Sequence, residues 1–232
     1  MNTTSPLDTT TTASGIVEDP VRRRNILIAM IVALVAVIAS VSGLNVAQQA
    51  LALDLGASQS QLLWIINGYT MALAALLMPV GAIGDRFGRK PILVAGLIVF
   101  AVANLGGALA TTTTTLMLAR IAAGAGAAMI MPVTLSVITS SFPVEERARA
   151  VGIWSGFAGA GGILGLFVSS FLIDRVTWPW LFAMPIVFAA IGLAMTLRYV
   201  GNSREDHDGR FDVVGSILSA LAIGGLVLGI HE

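Results

Sequence analysis

Charged residues and glycines are densest in one short segment that separates two long apolar stretches. The segment runs from 81 to 90 and contains four charged residues and three glycines: Gly81, Gly84, Asp85, Arg86, Gly88, Arg89 and Lys90. Two helices that re-enter a membrane side by side need a tight turn, and Gly84 and Gly88 permit one because glycine has no Cβ. Three cations at one membrane face also indicate which side of the bilayer the turn occupies. The segment therefore predicts a charged turn between two membrane helices.

One arginine, Arg120, lies inside an apolar stretch. An arginine within a membrane helix costs about 2.5–3.5 kcal/mol on insertion scales, so it usually faces a polar interior. Gly124 lies one turn further along the same helix face and leaves room for the guanidinium. The alternative is an arginine that extends to the outer membrane surface, because Arg120 is only about a turn and a half inside the stretch. The glycines that follow favour the interior position.

Amide side chains also occur within or at the ends of the apolar stretches, at Asn45, Gln48, Gln49, Asn67 and Asn104. Unpaired amides in lipid are costly, so these groups need partners. Together with Arg120 they predict a polar surface within the membrane. The alternative is a set of hydrogen bonds between helices, each worth only about 0.6 kcal/mol on average, and we expect this for Asn104.

The composition indicates a membrane protein with several spans. Hydrophobic residues make up 56% of the chain, charged residues 11%, and the mean hydropathy is +0.88. Each apolar stretch is near or above the roughly 20 residues that cross a bilayer as a helix. We therefore predict an all-α polytopic membrane protein with spans at 26–48, 60–82, 91–110, 115–140, 150–173, 179–200 and 212–230.

Lysines and arginines predict the orientation of these spans. Eleven of the 13 fall on one side of the membrane, whereas Arg175 falls on the other side and Arg120 lies within a span. Because basic residues concentrate on the cytoplasmic side, we predict a cytoplasmic N-terminus and an external C-terminus. The neutral net charge gives no indication of nucleic-acid binding.

Four regions follow from this pattern. Residues 1–24 begin with a tail rich in threonine and serine, which predicts a disordered cytoplasmic segment. Residues 25–200 form a six-helix bundle, the polar run at 201–211 is a cytoplasmic linker, and 212–232 is a seventh span. The basic cluster before the first span comes too late, and the span is too long, for a secretory signal.

The segment at 81–90 resembles the signature loop of the major facilitator superfamily, G-x-L-x-D-R-x-G-R-[KR], with Ile83 in place of leucine. The fourth span is similar to the superfamily pattern L-x-x-x-R-x-x-x-G-x-G, read from Leu116 through Arg120 to Gly126. The resemblance covers about residues 25–232. It implies the six-helix N-terminal bundle of that fold, followed by a seventh span.

The fifth span resembles the motif of drug exporters, G-x-x-x-G-P-x-x-G-P, although Gly162 and Leu166 stand where the prolines would be. Its G-x-x-x-G pairs predict close helix packing and are Gly152, Gly156, Gly161 and Gly165. The run from Asn45 to Ala47 is similar to the fourteen-span drug:proton antiporter branch. That branch has an aspartate at the position of Ser40.

The resemblance implies the N-terminal half of a multidrug efflux transporter in the cell membrane, with amphiphilic small molecules as substrates. Asp85 and Arg89 would form a gate, with Arg89 in reach of Glu145 and Glu146, whereas Arg120 and the amides would face the substrate. A second half, or another copy of the chain, would complete the transporter within the lipid bilayer. We expect neither an enzyme nor a metal or other cofactor, because no span carries a cluster of His, Asp and Glu.

One feature conflicts with proton antiport. Proton-coupled transport normally uses an intramembrane group that binds and releases a proton, yet no carboxylate lies deep in a span. His207 and His231 lie outside the apolar core as well. The alternative is a truncated helical bundle without transport activity, which lacks the second half. The sequence leaves a truncated product, a fragment and a half that associates with another chain all open.

Overall fold

A computed structural model of the chain describes residues 16–202. The seventh span predicted at 212–230 lies outside the described residues, as do most of the predicted tail and most of the linker. Within 16–202, six helical segments are long and apolar enough to cross a bilayer. The predicted all-α fold is confirmed for this part of the chain.

Seven α-helices and one short 3-10 turn make up the described structure. The turn spans Trp178–Phe182 and continues directly into the last helix, so that the two form one span. The α-helices are α1 Pro20–Val46, α2 Gln48–Leu55, α3 Gln59–Phe87, α4 Arg89–Ala108, α5 Thr113–Ser141, α6 Val144–Ile173 and α7 Ala183–Tyr199.

Side-chain caps fix where several helices begin. The carboxylate of Asp19 accepts a hydrogen bond from the backbone N–H of Val21, and Pro20 opens α1. A capping box formed by Ser58 and Gln61 starts α3, because each side chain bonds the other residue's backbone N–H. Thr112 and Thr115 form a second capping box at the start of α5. These caps satisfy donors that a membrane helix has to pair where it leaves the apolar layer.

The short helix α2 was not expected from the sequence. The first span ends at Val46, two residues before the predicted boundary, and a separate helix begins at Gln48. This helix ends at Gly56, which adopts the left-handed conformation at φ +60°. Hydropathy does not reveal the break, because Ala47 is itself apolar and fully buried.

The turn at the charged segment is shorter than predicted. α3 continues through Phe87 and α4 starts at Arg89, so Gly88 is the one residue between them. Gly88 has φ +110°, which L side chains rarely adopt, whereas Gly84 is helical. The expectation that Gly84 helps to form the turn is therefore wrong. A Cβ at Gly84 would lie 3.0 Å from Cγ2 of Val133, so this glycine lets α3 approach α5.

Two helices occupy the centre of the bundle. α1 packs on α5, α6 and α7, and α5 packs on α3 and α4 as well as on α1. Their shared core is filled by fully buried apolar side chains, among them Met30, Leu97 and Phe100. A second apolar cluster around Leu44, Leu116 and Trp178 closes the opposite end. We call the end that carries Gly88 the basic end, because most of the cations lie there.

Candidate functional site

The arginine of the fourth span lies in the interior of the bundle. Arg120 on α5 is only 1% exposed. Its Nη1 donates a hydrogen bond to Oγ of Ser40 on α1, over 2.8 Å. The sequence predicts an interior position for Arg120, and the structure shows that its partner is the residue that replaces the aspartate of the similar antiporters.

A third helix joins this contact through Asn104. Oγ of Ser40 donates to Oδ1 of Asn104 on α4, at 3.0 Å, and the amide nitrogen donates to the carbonyl of Phe100, at 2.7 Å. Asn104 is completely buried. It forms the bond between helices that the sequence suggests, and it is also part of the surroundings of Arg120.

Tyr69 of α3 completes the group. The guanidinium carbon of Arg120 lies 4.2 Å from the centroid of the Tyr69 ring, a distance at which a cation is attracted by an aromatic face. The tyrosine hydroxyl donates to the carbonyl of Val37 on α1, at 3.2 Å. We call Ser40, Tyr69, Asn104 and Arg120 the Arg120 network. It connects α1, α3, α4 and α5.

Two glycines of the fourth span let the surrounding helices come this close. A Cβ at Gly124 would overlap the backbone oxygen of Tyr69, and one at Gly126 would lie 2.7 Å from the backbone nitrogen of Phe100. The superfamily pattern therefore places an arginine beside two positions of backbone contact. Larger residues there would push α3 or α4 away from the guanidinium.

The network contains a cation and no carboxylate. A hydroxyl and an aromatic face stabilise the guanidinium, and its Nε is buried without an acceptor among residues 16–202. Burying an arginine without a counterion is costly, so the surrounding contacts have to be well formed. Such a group can fix the relative position of four helices, and it supplies positive charge in the interior of the bundle.

Three of the other predicted polar residues lie near the break between α1 and α2. Asn45 is exposed and donates to the carbonyl of Val41 in its own helix, at 2.9 Å. Gln48 is half-buried and donates to the carbonyl of Asn45, and Gln49 is exposed. Asn67 is half-buried on α3. Asn45, Gln48 and Gln49 thus cluster where α1 ends and α2 begins.

The charged segment holds α3, α4 and α7 together at the basic end. Asp85 accepts from Arg89, with Nη2 and Nε each 3.0 Å from Oδ1. Nζ of Lys90 donates to the carbonyl of Leu197 on α7, at 3.1 Å. Arg86 is exposed, and its guanidinium lies 5.8 Å from the Phe87 ring centroid. These contacts give the segment a structural function across three helices.

The resemblance places Arg89 in reach of the acids at the start of α6, whereas the ion pair that Arg89 forms among the described residues is with Asp85. Glu146 instead pairs with Arg23 of α1, at 3.1 Å. The reason is geometric, because Asp85 is four residues before Arg89 across a turn of one residue and therefore lies closer to it. Within residues 16–202 the ion pair of Arg89 is therefore with Asp85, and that of Glu146 is with Arg23.

The G-x-x-x-G pairs of the fifth span divide into two groups. Cβ atoms at Gly161 and Gly165 would lie 3.8 Å from Ile38 and 3.0 Å from Ser42 of α1, so this pair supports close packing. Cβ atoms at Gly152 and Gly156 would meet nothing within 4 Å among the described residues. The prediction of close packing at Gly152 and Gly156 therefore does not hold within residues 16–202.

A contact at the opposite end was not found from the sequence. Nε1 of Trp178 donates to Oδ2 of Asp54, at 2.7 Å, and so ties α2 to the segment that precedes α7. Trp178 is 4% exposed and lies edge-on to Phe182. Hydropathy alone places both residues in separate loops, 124 positions apart in sequence, so it gives no signal for this contact.

The short turn at Gly88 gives a first test. A Cβ at Gly88 would lie 2.5 Å from Oδ1 of Asn202, and the φ of +110° is strained for alanine. We expect Gly88→Ala to lower the free energy of unfolding by about 1–3 kcal/mol. Denaturant titration of the purified chain in detergent measures this change. Gly156→Ala is the control, because it adds the same methyl group to open helix surface and should cost nothing; equal losses for both variants would contradict the assignment.

The fold and these contacts define a helical multi-span membrane protein whose spans are joined through a buried cation. Among residues 16–202, no group of His, Cys, Asp and Glu could hold a metal ion. The family model of the Major Facilitator Superfamily matches residues 24–229. The chain therefore belongs to this superfamily of membrane transporters.

Curated relatives are named for resistance to toxic compounds. The chain is 36% identical over 193 residues to a "Methylenomycin A resistance protein" of Streptomyces coelicolor. The matched region covers 83% of this chain and 40% of that protein. It is 32% identical over 199 residues to the "Methyl viologen resistance protein SmvA" of Salmonella typhimurium. This matched region covers 85% of the chain and 40% of that protein. The chain thus spans 40% of the length of these relatives.

A solved transporter shares the fold. The proton:xylose symporter XylE superimposes with a TM-score of 0.66 at 17% sequence identity, over 88% of this chain and 49% of that one. At this identity the likeness concerns the fold alone. The chain therefore matches about half of that transporter's structure.

Proposed function

We propose that this chain forms the N-terminal bundle of a drug-efflux transporter that exports amphiphilic small molecules across the cell membrane. The observation that carries the proposal is the match to resistance proteins along nearly all of the bundle. Transporters of this kind bind substrate near the membrane midplane, between two related bundles. The second bundle would come from chain beyond this sequence, or from another polypeptide.

In this proposal Arg120 positions helices and does not bind substrate directly. Its 1% exposure and its contacts to α1 and α3 support this function. The helices that meet at Arg120 would then move as one rigid body when the two bundles rock against each other. The substrate would contact side chains on the exposed faces of the bundle.

Asp85 and Arg89 would maintain the cytoplasmic end of this rigid body. Their ion pair and the bond from Lys90 to Leu197 connect α3, α4 and α7 where the bundle faces the cytoplasm. A gate at this end requires these helices to keep their relative positions. The coupling proton, if the transporter uses one, would be carried by an acid in the second bundle, because Ser40 cannot ionise at physiological pH.

The orientation can be tested by labelling. We expect the basic end to be cytoplasmic, so a cysteine at Val144 should react with a membrane-impermeant thiol reagent only after the cells are opened. Cysteines at Ser58 and Thr113 should react in intact cells. All three positions are in or beside loops, and the chain has no native cysteine that would react in the background. Labelling of Val144→Cys, but of neither of the other two, in intact cells would invert the proposed orientation.

A chimaera tests the transport proposal. Residues 24–200 replace the matching part of SmvA, and the chimaera is produced in Salmonella without its own copy of the protein. We expect growth on methyl viologen to be restored by the chimaera but not by the 232-residue chain alone. A chimaera that is produced, folded and inactive would favour the alternative, a helical bundle without transport activity. As a control, the chimaera is also made with Gly152→Val on α6, where an added side chain meets nothing within 4 Å in the described structure. This variant should restore growth as the chimaera itself does.

A further inference from the structure

A cavity that is lined partly by charged side chains lies at the basic end, away from the Arg120 network. It has a volume of about 430 Å³ and opens where the first turns of α1 and α6 diverge. Arginines and apolar side chains form most of its lining, which includes Arg23, Arg24, Leu27, Glu146, Arg149 and Ile153. The proposed transport mechanism does not use this cavity.

The charges around the cavity favour an anion. Three guanidinium groups line it, against the single carboxylate of Glu146, which is paired with Arg23 at 3.1 Å. Arg24 and Arg149 are exposed, and neither has an acceptor among residues 16–202. Nε of Arg23 is buried and likewise lacks an acceptor in that part of the chain. Several donors therefore face one space with too few acceptors.

The N-termini of two helices add partial positive charge near the cavity, and acidic side chains in their first turns offset part of it. Both α1 and α6 begin beside the cavity, and the N-terminus of a helix carries partial positive charge. Glu145 in the first turn of α6, and Glu18 and the capping carboxylate of Asp19 at the start of α1, reduce the effect at both helices. Arg22 and Arg147 donate to the carbonyls of Tyr199 and Phe142, so they are engaged within the bundle. Within the lining itself, three arginines stand against the one carboxylate of Glu146, so the positive excess of the lining is centred on Arg24 and Arg149.

The depth of the cavity distinguishes a lipid from a soluble anion. Arg24 and Arg149 immediately precede the predicted apolar spans, at the level where phosphates of a bilayer lie. Leu27 and Ile153 lie one turn deeper on the same two helices and present an apolar floor at the level of acyl chains. Basic pockets between membrane helices on the cytoplasmic side are suited to anionic head groups.

We propose that this cavity binds the phosphate of an anionic phospholipid of the inner leaflet. Arg24 and Arg149 donate to the phosphate oxygens, Arg23 lies behind them, and an acyl chain extends along Leu27 and Ile153. The proposal uses the cytoplasmic orientation of the basic end and is independent of the transported substrate. A lipid bound here would hold the first turns of α1 and α6 at a fixed separation.

Lipid binding to the purified full chain tests this proposal. The chain in detergent is titrated with mixed micelles that contain phosphatidylglycerol or phosphatidylcholine, and bound lipid is counted by native mass spectrometry. We expect the double variant Arg24→Gln/Arg149→Gln to bind phosphatidylglycerol about tenfold more weakly, which corresponds to about 1.4 kcal/mol. The variant loses two charge-assisted hydrogen bonds to the phosphate, each weakened by solvent at these exposed positions. Arg175→Gln/Arg198→Gln removes the same charge from exposed sites outside the cavity and should bind as the unchanged chain does.

Each result decides the proposal. Equal weakening in both double variants would show binding by overall charge and would overturn it. Equal affinity for the two lipids would overturn the requirement for an anion, and full competition by inorganic phosphate at equal concentration would point to a soluble ligand instead. Should Arg24→Gln/Arg149→Gln fail to fold by circular dichroism, Glu146→Gln replaces it. This variant removes the competing carboxylate and should strengthen binding of phosphatidylglycerol, so unchanged or weaker binding counts against the site.

Discussion

Gly124→Val should lower the free energy of unfolding of the chain by at least about 3 kcal/mol, the upper end of the usual cost of overpacking. A Cβ at this position would overlap the backbone oxygen of Tyr69 and would lie 3.0 Å from Cβ of Ala72. The backbone oxygen cannot move aside as a flexible side chain would, so α3 has to separate from α5. The ring of Tyr69 then leaves the guanidinium of Arg120, and the buried cation loses its aromatic partner.

Gly152→Val provides a matched control for this prediction. It makes the same change within a helix, at a position where a Cβ meets nothing within 4 Å in the described structure. We expect it to change the unfolding free energy by less than about 1 kcal/mol, which is the size of differences in helix propensity. Denaturant titration in detergent compares the two variants, and size-exclusion chromatography reports whether each remains a single species. A similar loss at both positions would mean that α3 and α5 do not meet at Gly124.

The second large effect concerns a charge placed at Ser40. Because Oγ of Ser40 lies 2.8 Å from Nη1 of Arg120, an aspartate at this position can pair with the guanidinium. We expect Ser40→Asp to be tolerated when Arg120 is present. In a chain that also carries Arg120→Ala, the same substitution should cost about 3 kcal/mol more, because it leaves a buried carboxylate without a partner.

A double-mutant cycle isolates this difference. The four chains are the unchanged protein, the two single variants and the double variant, each unfolded in detergent under the same conditions. Ser42→Asp serves as control, since Ser42 is also buried on α1 but its hydroxyl donates to the carbonyl of Gly162 on α6. The coupling between Ser42→Asp and Arg120→Ala should be close to zero. A coupling energy near zero at Ser40 as well would contradict the contact between Ser40 and Arg120.

The sequence predicts the six spans within residues 16–202, since each is a long apolar run. It also indicates an interior position for Arg120, because an arginine within an apolar span is costly where it faces lipid. It does not predict Tyr69 and Ser40 as partners, since tyrosine and serine are common in membrane helices and their role depends on how distant helices are arranged. It also does not predict the pair of Arg89 with Asp85, because that pair depends on a turn of one residue at Gly88 that hydropathy does not reveal.

The arrangement of α1 has a consequence for biosynthesis. All three helices on which α1 chiefly packs are encoded after residue 112, whereas the helices made directly after it contact it little. While the ribosome completes α2, α3 and α4, α1 therefore stays in the membrane without the three helices on which it chiefly packs, and Ser40 has no contact with Arg120 until α5 is made. A chain released at residue 108 would contain three of the six spans found in residues 16–202 and little of the packing around α1. Quality-control proteases should therefore recognise such an intermediate as an incompletely folded protein.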